Sequence, residues 1–224
     1  KHQARADGNS EVAYRSTILM SVEHNDLLND PVVNPAHHHE YLEVLDEQGN
    51  KTGVSLPRSE VHRKGLWHRC VHVWIVNSKG ELIIQKRAAC KESWPNCWDI
   101  SSAGHVTAGD DSITTAIKEL EEELGIKTTA NDLEFLFTST VDSTLRDGKY
   151  INREFCDVFL LKLDADLSSL VLQVEEVAEV KYIHFEDLQK VFLDNNDPSF
   201  VPCDLNTNYK ILFDTLKSRF GKIQ

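Results

Sequence analysis

The feature that most constrains this chain is an acidic segment enclosed by two glycines, Gly104 and Gly125. The Asp-Asp-Ser run at 110–112 supplies side chains that cap helix N-termini, and glycine is suited to end a helix. The sequence therefore predicts a helix that begins near this run and ends at Leu124. Such a helix must pack its apolar residues in a core while it keeps its many carboxylates at a border with water.

Three carboxylates fall on one side of the predicted helix. At about 100° per residue, Glu119, Glu122 and Glu123 share an arc of about 100°, whereas Glu121 points away toward solvent. An apolar stripe runs beside these acids and consists of Ile113, Ala116, Ile117, Leu120 and Leu124. We therefore expect the helix to pack on a sheet while its acidic edge faces a cleft.

The chemistry of this edge indicates a metal site. Like charges at this spacing destabilise a helix unless something offsets their repulsion. Carboxylate oxygens are ligands that Mg²⁺ and Mn²⁺ prefer, and both ions also bind substrate phosphates. A Glu-rich face is commonly only solvated surface, but the flanking glycines favour the metal. We predict that Glu119, Glu122 and Glu123 are catalytic residues that hold Mg²⁺ or Mn²⁺.

Composition limits the partners of the chain. The 224 residues are 41% hydrophobic and 27% charged, which is typical of one globular domain with extensions. No segment is long and apolar enough to span a membrane. A net charge of −12 argues against a nucleic-acid surface, which needs a basic patch. The predicted partner is a small anionic molecule, and the sequence leaves the oligomeric state open.

The cysteines indicate the cellular location of the protein, and the N-terminal region indicates where its domain begins. The five cysteines are scattered without a Cys-x-x-Cys pair, which favours reduced thiols and an intracellular, cytoplasmic location, with an organelle left open. Residues 1–40 are polar and aperiodic, so we predict a disordered extension there. The domain is then 41–224 and ends in a helix.

Alternating apolar runs and turns predict the remaining elements. The predicted strands are 41–45, 70–76, 81–85, 133–141, 154–163 and 180–185. Further helices are predicted at 186–193 and 208–220. These elements predict an α/β fold with a mixed sheet between helices.

The residues from Gly104 to Ile126 resemble the Nudix box. That pattern is Gly, five residues, Glu, seven residues, Arg-Glu, an aliphatic residue, any residue, Glu-Glu, any residue, Gly and an aliphatic residue. Every spacing is met, while Asp110 replaces the first Glu and Lys118 replaces Arg. The resemblance implies an α/β/α sandwich with a mixed central sheet, hydrolysis of a diphosphate, and the Gly104 carbonyl as a further metal ligand.

Outside this box, the chain is similar to isopentenyl-diphosphate isomerases and closely similar to plant-type isomerase-like Nudix hydrolases. The strings that carry this similarity are Thr52-Gly53, Glu60-Val61-His62-Arg63, His68-Arg69, Val71-His72-Val73-Trp74, Ser93-Trp94-Pro95 and the stretch 98–105. In the isomerases, three histidines and two glutamates hold a structural metal beside the substrate.

The similarity implies that His62, His68, His105 and Glu154 form a second metal site. The other glutamate of the isomerases is Asn152 here, which is a neutral and poorer ligand. The alternative interpretation is that these histidines only pack and form hydrogen bonds.

Two differences from the isomerases favour hydrolysis. Ala103 stands where the isomerases carry their catalytic cysteine, and a methyl group cannot exchange the protons that isomerisation moves. Cys97 lies too far along the chain to take its place. Glu119 stands where the isomerases carry a basic phosphate-binding residue, and a carboxylate there favours metal-bridged hydrolysis.

The rest of the isomerase pocket implies substrate contacts. Arg87 and Lys91 match the two basic residues that hold the diphosphate. Trp67, Trp74 and Trp94 are candidates for an apolar wall along a prenyl tail, although a core position is the simpler interpretation for Trp74.

These features together predict a Mg²⁺-dependent hydrolase. The resemblance to the isomerases implies isopentenyl or dimethylallyl diphosphate as its substrate, with a monophosphate and phosphate as products. Glu154 and Glu176 are the candidates for general base or additional ligand. The alternatives are an isopentenyl-diphosphate Delta-isomerase, a hydrolase of nucleoside diphosphates, and a non-catalytic binder of prenyl phosphates.

Overall fold

The computed structural model describes residues 40–194, 197–205 and 208–221, and these contain nine strands and four α-helices. The strands are β1 (Tyr41–Leu45), β2 (Lys51–Pro57), β3 (Trp67–Val76), β4 (Glu81–Arg87), β5 (Trp98–Asp99), β6 (Ser102–His105), β7 (Leu133–Leu145), β8 (Tyr150–Lys162) and β9 (Val177–His184). The helices are α1 (Arg58–Lys64), α2 (Ser112–Leu124), α3 (Phe185–Asp194) and α4 (Lys210–Phe220). The predicted disorder of the N-terminal extension concerns residues that, apart from Glu40, lie outside this described part.

Strand β3 lies at the centre of one mixed sheet. It pairs in parallel with β8 along its whole length, and β8 pairs in turn with β7 in an antiparallel hairpin. On its other side, β3 pairs in succession with β1, β6 and β4, all antiparallel. Strand β4 also pairs with β9 and β5. Side chains of β3 are therefore surrounded by residues from distant parts of the chain.

Alternate residues of β3 point to opposite faces of the sheet, and each face is covered by helices. Val71, Val73 and Ile75 pack in one core with the apolar stripe of α2. Trp74 and Val76 pack in the other core with α3 and α4. The predicted α/β/α sandwich with a mixed sheet is confirmed, and Trp74 is the core residue that the alternative interpretation expected.

The acidic helix forms as predicted. Its N-cap is Asp111, whose carboxylate accepts a hydrogen bond of 2.8 Å from the Thr114 backbone N–H. It ends at Gly125, which adopts the left-handed conformation with φ of 69°. Glu121 is exposed, whereas Glu123 on the acidic edge is buried.

The structure differs from the prediction where local signals are weak. Helix α1 has only seven residues, which is too short for a clear apolar period. Strand β2 pairs with β1 and exposes most of its side chains, so it lacks an alternating pattern. The β7–β8 hairpin extends beyond the predicted ends to Leu145 and Tyr150, because cross-strand backbone pairing continues through a tip in which polar and apolar residues are mixed. No helix in the described ranges is long and apolar enough to cross a membrane.

Candidate active site

A cavity of about 660 Å³ collects most of the predicted site residues. Its lining includes Arg87, Lys91, Trp94, Gly104, His105, Glu119, Glu122, Glu123, Glu154 and Glu176. These come from β4, β6, β8, α2 and the loops that follow β4 and precede β9. The fold therefore brings the acidic edge of α2 and the predicted basic residues to the same space.

Two members of the acidic edge of α2, which we define as Glu119, Glu122 and Glu123, are held by close contacts, whereas Glu122 is exposed. The Glu123 carboxylate accepts hydrogen bonds from the Gln85 side chain at 3.2 Å and from the Ala103 backbone N–H at 3.3 Å. The Glu119 side chain lies against Gly104 on β6 so closely that a β-carbon there would overlap its carboxylate. A larger residue at this position would therefore displace the Glu119 side chain.

The electrostatics of the edge fit a divalent cation. Burial and the negative charges of Glu123 and Glu122 raise the pKa of Glu119 to about 9. Burial also raises the pKa of Glu123 to about 7, although the Ser102 hydrogen bond and the Lys91 charge act in the opposite direction. The donor set consists of carboxylate oxygens whose repulsion a hard cation would remove, so these residues fit Mg²⁺ or Mn²⁺.

The two predicted phosphate-binding residues lie in the cavity, and each contacts a carboxylate. Arg87 donates to Asp99 at 3.0 Å and to the Ser93 carbonyl at 2.9 Å. Lys91 forms an ion pair with Glu176. These contacts fix both cations at the wall of the cavity, where they leave the guanidinium and the ammonium beside the space for a substrate.

A third cation, Arg58, lines the same cavity and was not predicted. Its Nη1 donates to Glu40 at 3.1 Å, and its Nε is buried without a hydrogen-bond partner among the described residues. Glu40 also lines the cavity, although the sequence placed it in the N-terminal extension. Arg58 is the first residue of α1. The sequence does not predict this helix, so nothing in the sequence pattern placed Arg58 at the site.

The three predicted histidines form a compact group. The ring centroids of His62, His68 and His105 are 4.8 to 5.1 Å apart. Their candidate ligand atoms all lie within 4.8 Å of one another. Glu154 Oε1 lies 3.2 Å from His105 Nε2 and 3.4 Å from His68 Nε2. We call these four residues the histidine group.

The protonation of this group suits a metal. His68 Nδ1 bonds to the Leu66 carbonyl at 2.9 Å, which leaves Nε2 with its lone pair and without a hydrogen-bond partner in the described part. Burial and the neighbouring histidines lower the pKa of His62 to about 2, and burial and Arg58 lower that of His105 to about 4. Burial acts to raise the pKa of Glu154, but its hydrogen bond with His105 and the nearby His68 ring hold it well below the usual range. Neutral imidazoles beside a carboxylate fit a divalent cation.

Trp67, which is predicted to bind substrate, is not among the described residues that line the cavity. Its ring packs on Phe155 with a centroid distance of 4.9 Å. Trp67 precedes His68 on β3, and consecutive side chains of a strand point to opposite faces. Trp94, by contrast, lines the cavity, so it is the tryptophan that we keep as a substrate-binding candidate.

Comparison with known proteins gives consistent matches. The family model described as the NUDIX domain matches residues 66–202. Nudix hydrolase 3 of Arabidopsis thaliana is 48% identical over 183 residues, which are 80% of this chain and 24% of the plant protein. The chain thus spans about a quarter of the length of that relative.

More distant matches include an isomerase and a solved structure. An isopentenyl-diphosphate Delta-isomerase of Cutibacterium acnes is 25% identical over 170 residues, which are 75% of this chain and 85% of the isomerase. A crystal structure of a Deinococcus radiodurans protein matches with a TM-score of 0.58 and 18% identity, and it covers 81% of this chain and 99% of that protein. The latter match shows a shared fold.

Proposed function

The chain belongs to the NUDIX domain family, and on that premise we propose that it hydrolyses a small organic diphosphate with a divalent cation held by the acidic edge of α2. One observation carries the proposal: the acidic edge shares a single cavity with three cationic side chains, Arg58, Arg87 and Lys91. A diphosphate needs cations around its oxygens, and a metal bound to the carboxylates would supply the remaining positive charge.

Each protein group has a distinct part in this mechanism. When bound, Mg²⁺ or Mn²⁺ supplies charge stabilisation and a more acidic water, with the Gly104 carbonyl as a further candidate ligand. Arg87 and Lys91 orient the phosphate oxygens with fixed N–H donors. Gln85 holds the carboxylate of Glu123 in place so that no reorganisation is needed during the reaction.

We assign Glu176, rather than Glu154, as the general base that accepts the proton of the attacking water. The charge of Glu176 contributes to the raised pKa of both Glu119 and Glu123, so it lies within the field of the acidic edge. Glu154 is instead bonded to the histidine group, where it fits a metal ligand. Glu176→Gln should lower kcat and leave the metal content of the protein unchanged. Glu154→Gln should instead lower the amount of metal that the histidine group binds.

The cavity also has an apolar side that suits a short hydrocarbon chain. Trp94, Phe192, Val201 and Pro202 line the cavity and together border an adjoining cleft. A prenyl tail would bury apolar surface against them, whereas a nucleoside would need hydrogen-bond partners for its base. The match to an isopentenyl-diphosphate isomerase supports the same compound class. We propose isopentenyl or dimethylallyl diphosphate as substrate, with a monophosphate and orthophosphate as products.

Hydrolysis is favoured over isomerisation at this site. Ala103 lines the cavity and pairs in register with His72, so no thiol is present where the isomerases carry their catalytic cysteine. The Cys97 sulfur lies 3.6 Å from the Pro198 carbonyl and is not among the described residues that line the cavity.

Phosphorus NMR of isopentenyl diphosphate incubated with the protein and Mg²⁺ tests the proposal, together with proton NMR of the prenyl chain. The expected products are isopentenyl monophosphate and orthophosphate. Formation of dimethylallyl diphosphate would instead establish isomerisation. Thermal stabilisation by the ligand without any product would indicate a binding protein, and turnover of nucleoside diphosphates alone would contradict the proposed substrate.

A further inference from the structure

A third set of candidate metal ligands lies in the wall of the cavity. Cys70, His72 and Cys156 place their candidate ligand atoms within 4.8 Å of one another. Cys70 and Cys156 are register partners on the parallel strands β3 and β8, and His72 follows on the same face of β3. Both cysteines are buried, with 4% and 0% of their surface exposed. We call these three residues the thiol group.

The imidazole of His72 is oriented toward the thiols. Its Nδ1 forms a hydrogen bond of 2.5 Å with the Tyr209 hydroxyl. Its Nε2 lies 3.8 Å from the Cys70 sulfur. Histidines that bind metals usually have their other ring nitrogen fixed by such a partner, because this sets the tautomer and the ring orientation. Tyr209 therefore leaves Nε2 as the nitrogen available to a metal.

The donor set differs in kind from that of the acidic edge. Two sulfurs and one imidazole nitrogen suit Zn²⁺, whereas carboxylate oxygens suit Mg²⁺. Zinc binds sulfur at about 2.3 Å and nitrogen at about 2.0–2.1 Å, so the ligand atoms need only small side-chain movements to surround one ion. Cys70 and His72 line the cavity, which gives the ion a path of entry.

We propose that Cys70, His72 and Cys156 bind a zinc ion in the wall of the cavity. Each thiol releases its proton to solvent as its sulfur binds the metal, and a water molecule takes the fourth position. The ion would join β3 to β8, whose residues are far apart in the sequence.

This site lies beside the histidine group and is distinct from it. Glu154 is the member of the histidine group that contacts both sets, since its Oε1 contacts His105 and its Oε2 lies 3.9 Å from the Cys156 sulfur. A test must therefore separate binding to thiolates from binding to imidazoles. Cobalt(II) makes this separation, because only thiolate ligands give it a sulfur-to-metal charge-transfer band in the near ultraviolet.

The experiment titrates Co²⁺ into the reduced, chelator-treated full chain and then adds Zn²⁺. We expect a charge-transfer band that saturates when one Co²⁺ ion per protein chain is bound to the thiolates. The band should disappear when Zn²⁺ displaces the Co²⁺. Cys70→Ser and Cys156→Ser should lose the band. Cys90→Ser is the matched control, because Cys90 is an exposed thiol outside the group, and it should keep the band. His105→Ala should also keep it.

A measurement on the unsubstituted protein covers the case in which a buried-cysteine variant fails to fold. Zn²⁺ should slow the alkylation of Cys70 and Cys156 at least about tenfold, as read by mass spectrometry of the labelled peptides, and leave Cys90 unaffected. The proposal is overturned if the fully reduced protein shows no thiolate band, if Cys70→Ser keeps it, or if Zn²⁺ leaves the alkylation rates unchanged.

Discussion

At the residue scale, the cavity depends on close approaches that leave no room for added atoms. Glu119 lies where a β-carbon on residue 104 would stand. The backbone of β6 is fixed by its pairing with β3, so in Gly104→Ala the Glu119 carboxylate must move instead.

We therefore expect Gly104→Ala to lower kcat by roughly 100-fold while the fold persists, since a displaced catalytic group costs about that much. Phosphate release at saturating Mg²⁺ measures the rate, and circular dichroism checks the fold. An unchanged kcat in a folded variant would show that the contact with Gly104 does not position Glu119.

At the element scale, helix α2 is anchored by two polar contacts of different kinds. Asp111 caps a backbone N–H at 2.8 Å that would otherwise lack a partner. Lys118 and Asp110 form an ion pair of 2.7 Å in which the lysine side chain is 53% exposed. An exposed pair of this kind contributes about 0–1 kcal/mol, because solvent screens it.

We predict that Asp111→Ala destabilises the protein more than Lys118→Ala, because only the first substitution removes the partner of a helix-terminal N–H. Urea unfolding of both variants measures the difference in the free energy of unfolding. A larger loss in Lys118→Ala would mean that the ion pair, and not the cap, holds the start of α2 in place.

At the scale of the whole molecule, the raised carboxyl pKa values predict how stability changes with pH. The folded, metal-free protein holds protons on Glu119 and Glu123 up to about pH 9 and pH 7, whereas the unfolded chain releases them near the ordinary value of 4.5. Their contribution to stability is present below the unfolded pKa and is lost as pH rises through the folded values.

The free energy of unfolding, measured in urea with a chelator, should accordingly fall between about pH 6 and about pH 9 in the unsubstituted protein. Glu119→Gln cannot ionise at this position, so its stability should fall less over the same range. An equal or steeper fall in the variant would contradict the assignment of the raised pKa to Glu119.

The separation along the chain of the residues that form a feature explains whether the sequence could predict that feature. The cap at Asp111, the stop at Gly125 and the apolar stripe are local signals, so α2 was predicted to within a residue. The thiol group depends on the parallel pairing of β3 with β8, which joins residues far apart in the chain and leaves no local signal. Arg58 has no local signal either, because α1 has only seven residues and is too short to show a helical period.

We propose that the acidic edge of α2 makes this chain a diphosphate hydrolase, and a matched pair of variants tests this proposal most directly. Glu119→Gln and Glu121→Gln each replace one carboxyl group of the same helix by an amide, but Glu119 lines the cavity and Glu121 is exposed. The measurement is the rate of orthophosphate release from isopentenyl diphosphate with Mg²⁺. We predict a loss of roughly 100-fold or more for Glu119→Gln and a rate close to that of the unsubstituted protein for Glu121→Gln. Equal rates in the two variants would contradict the account.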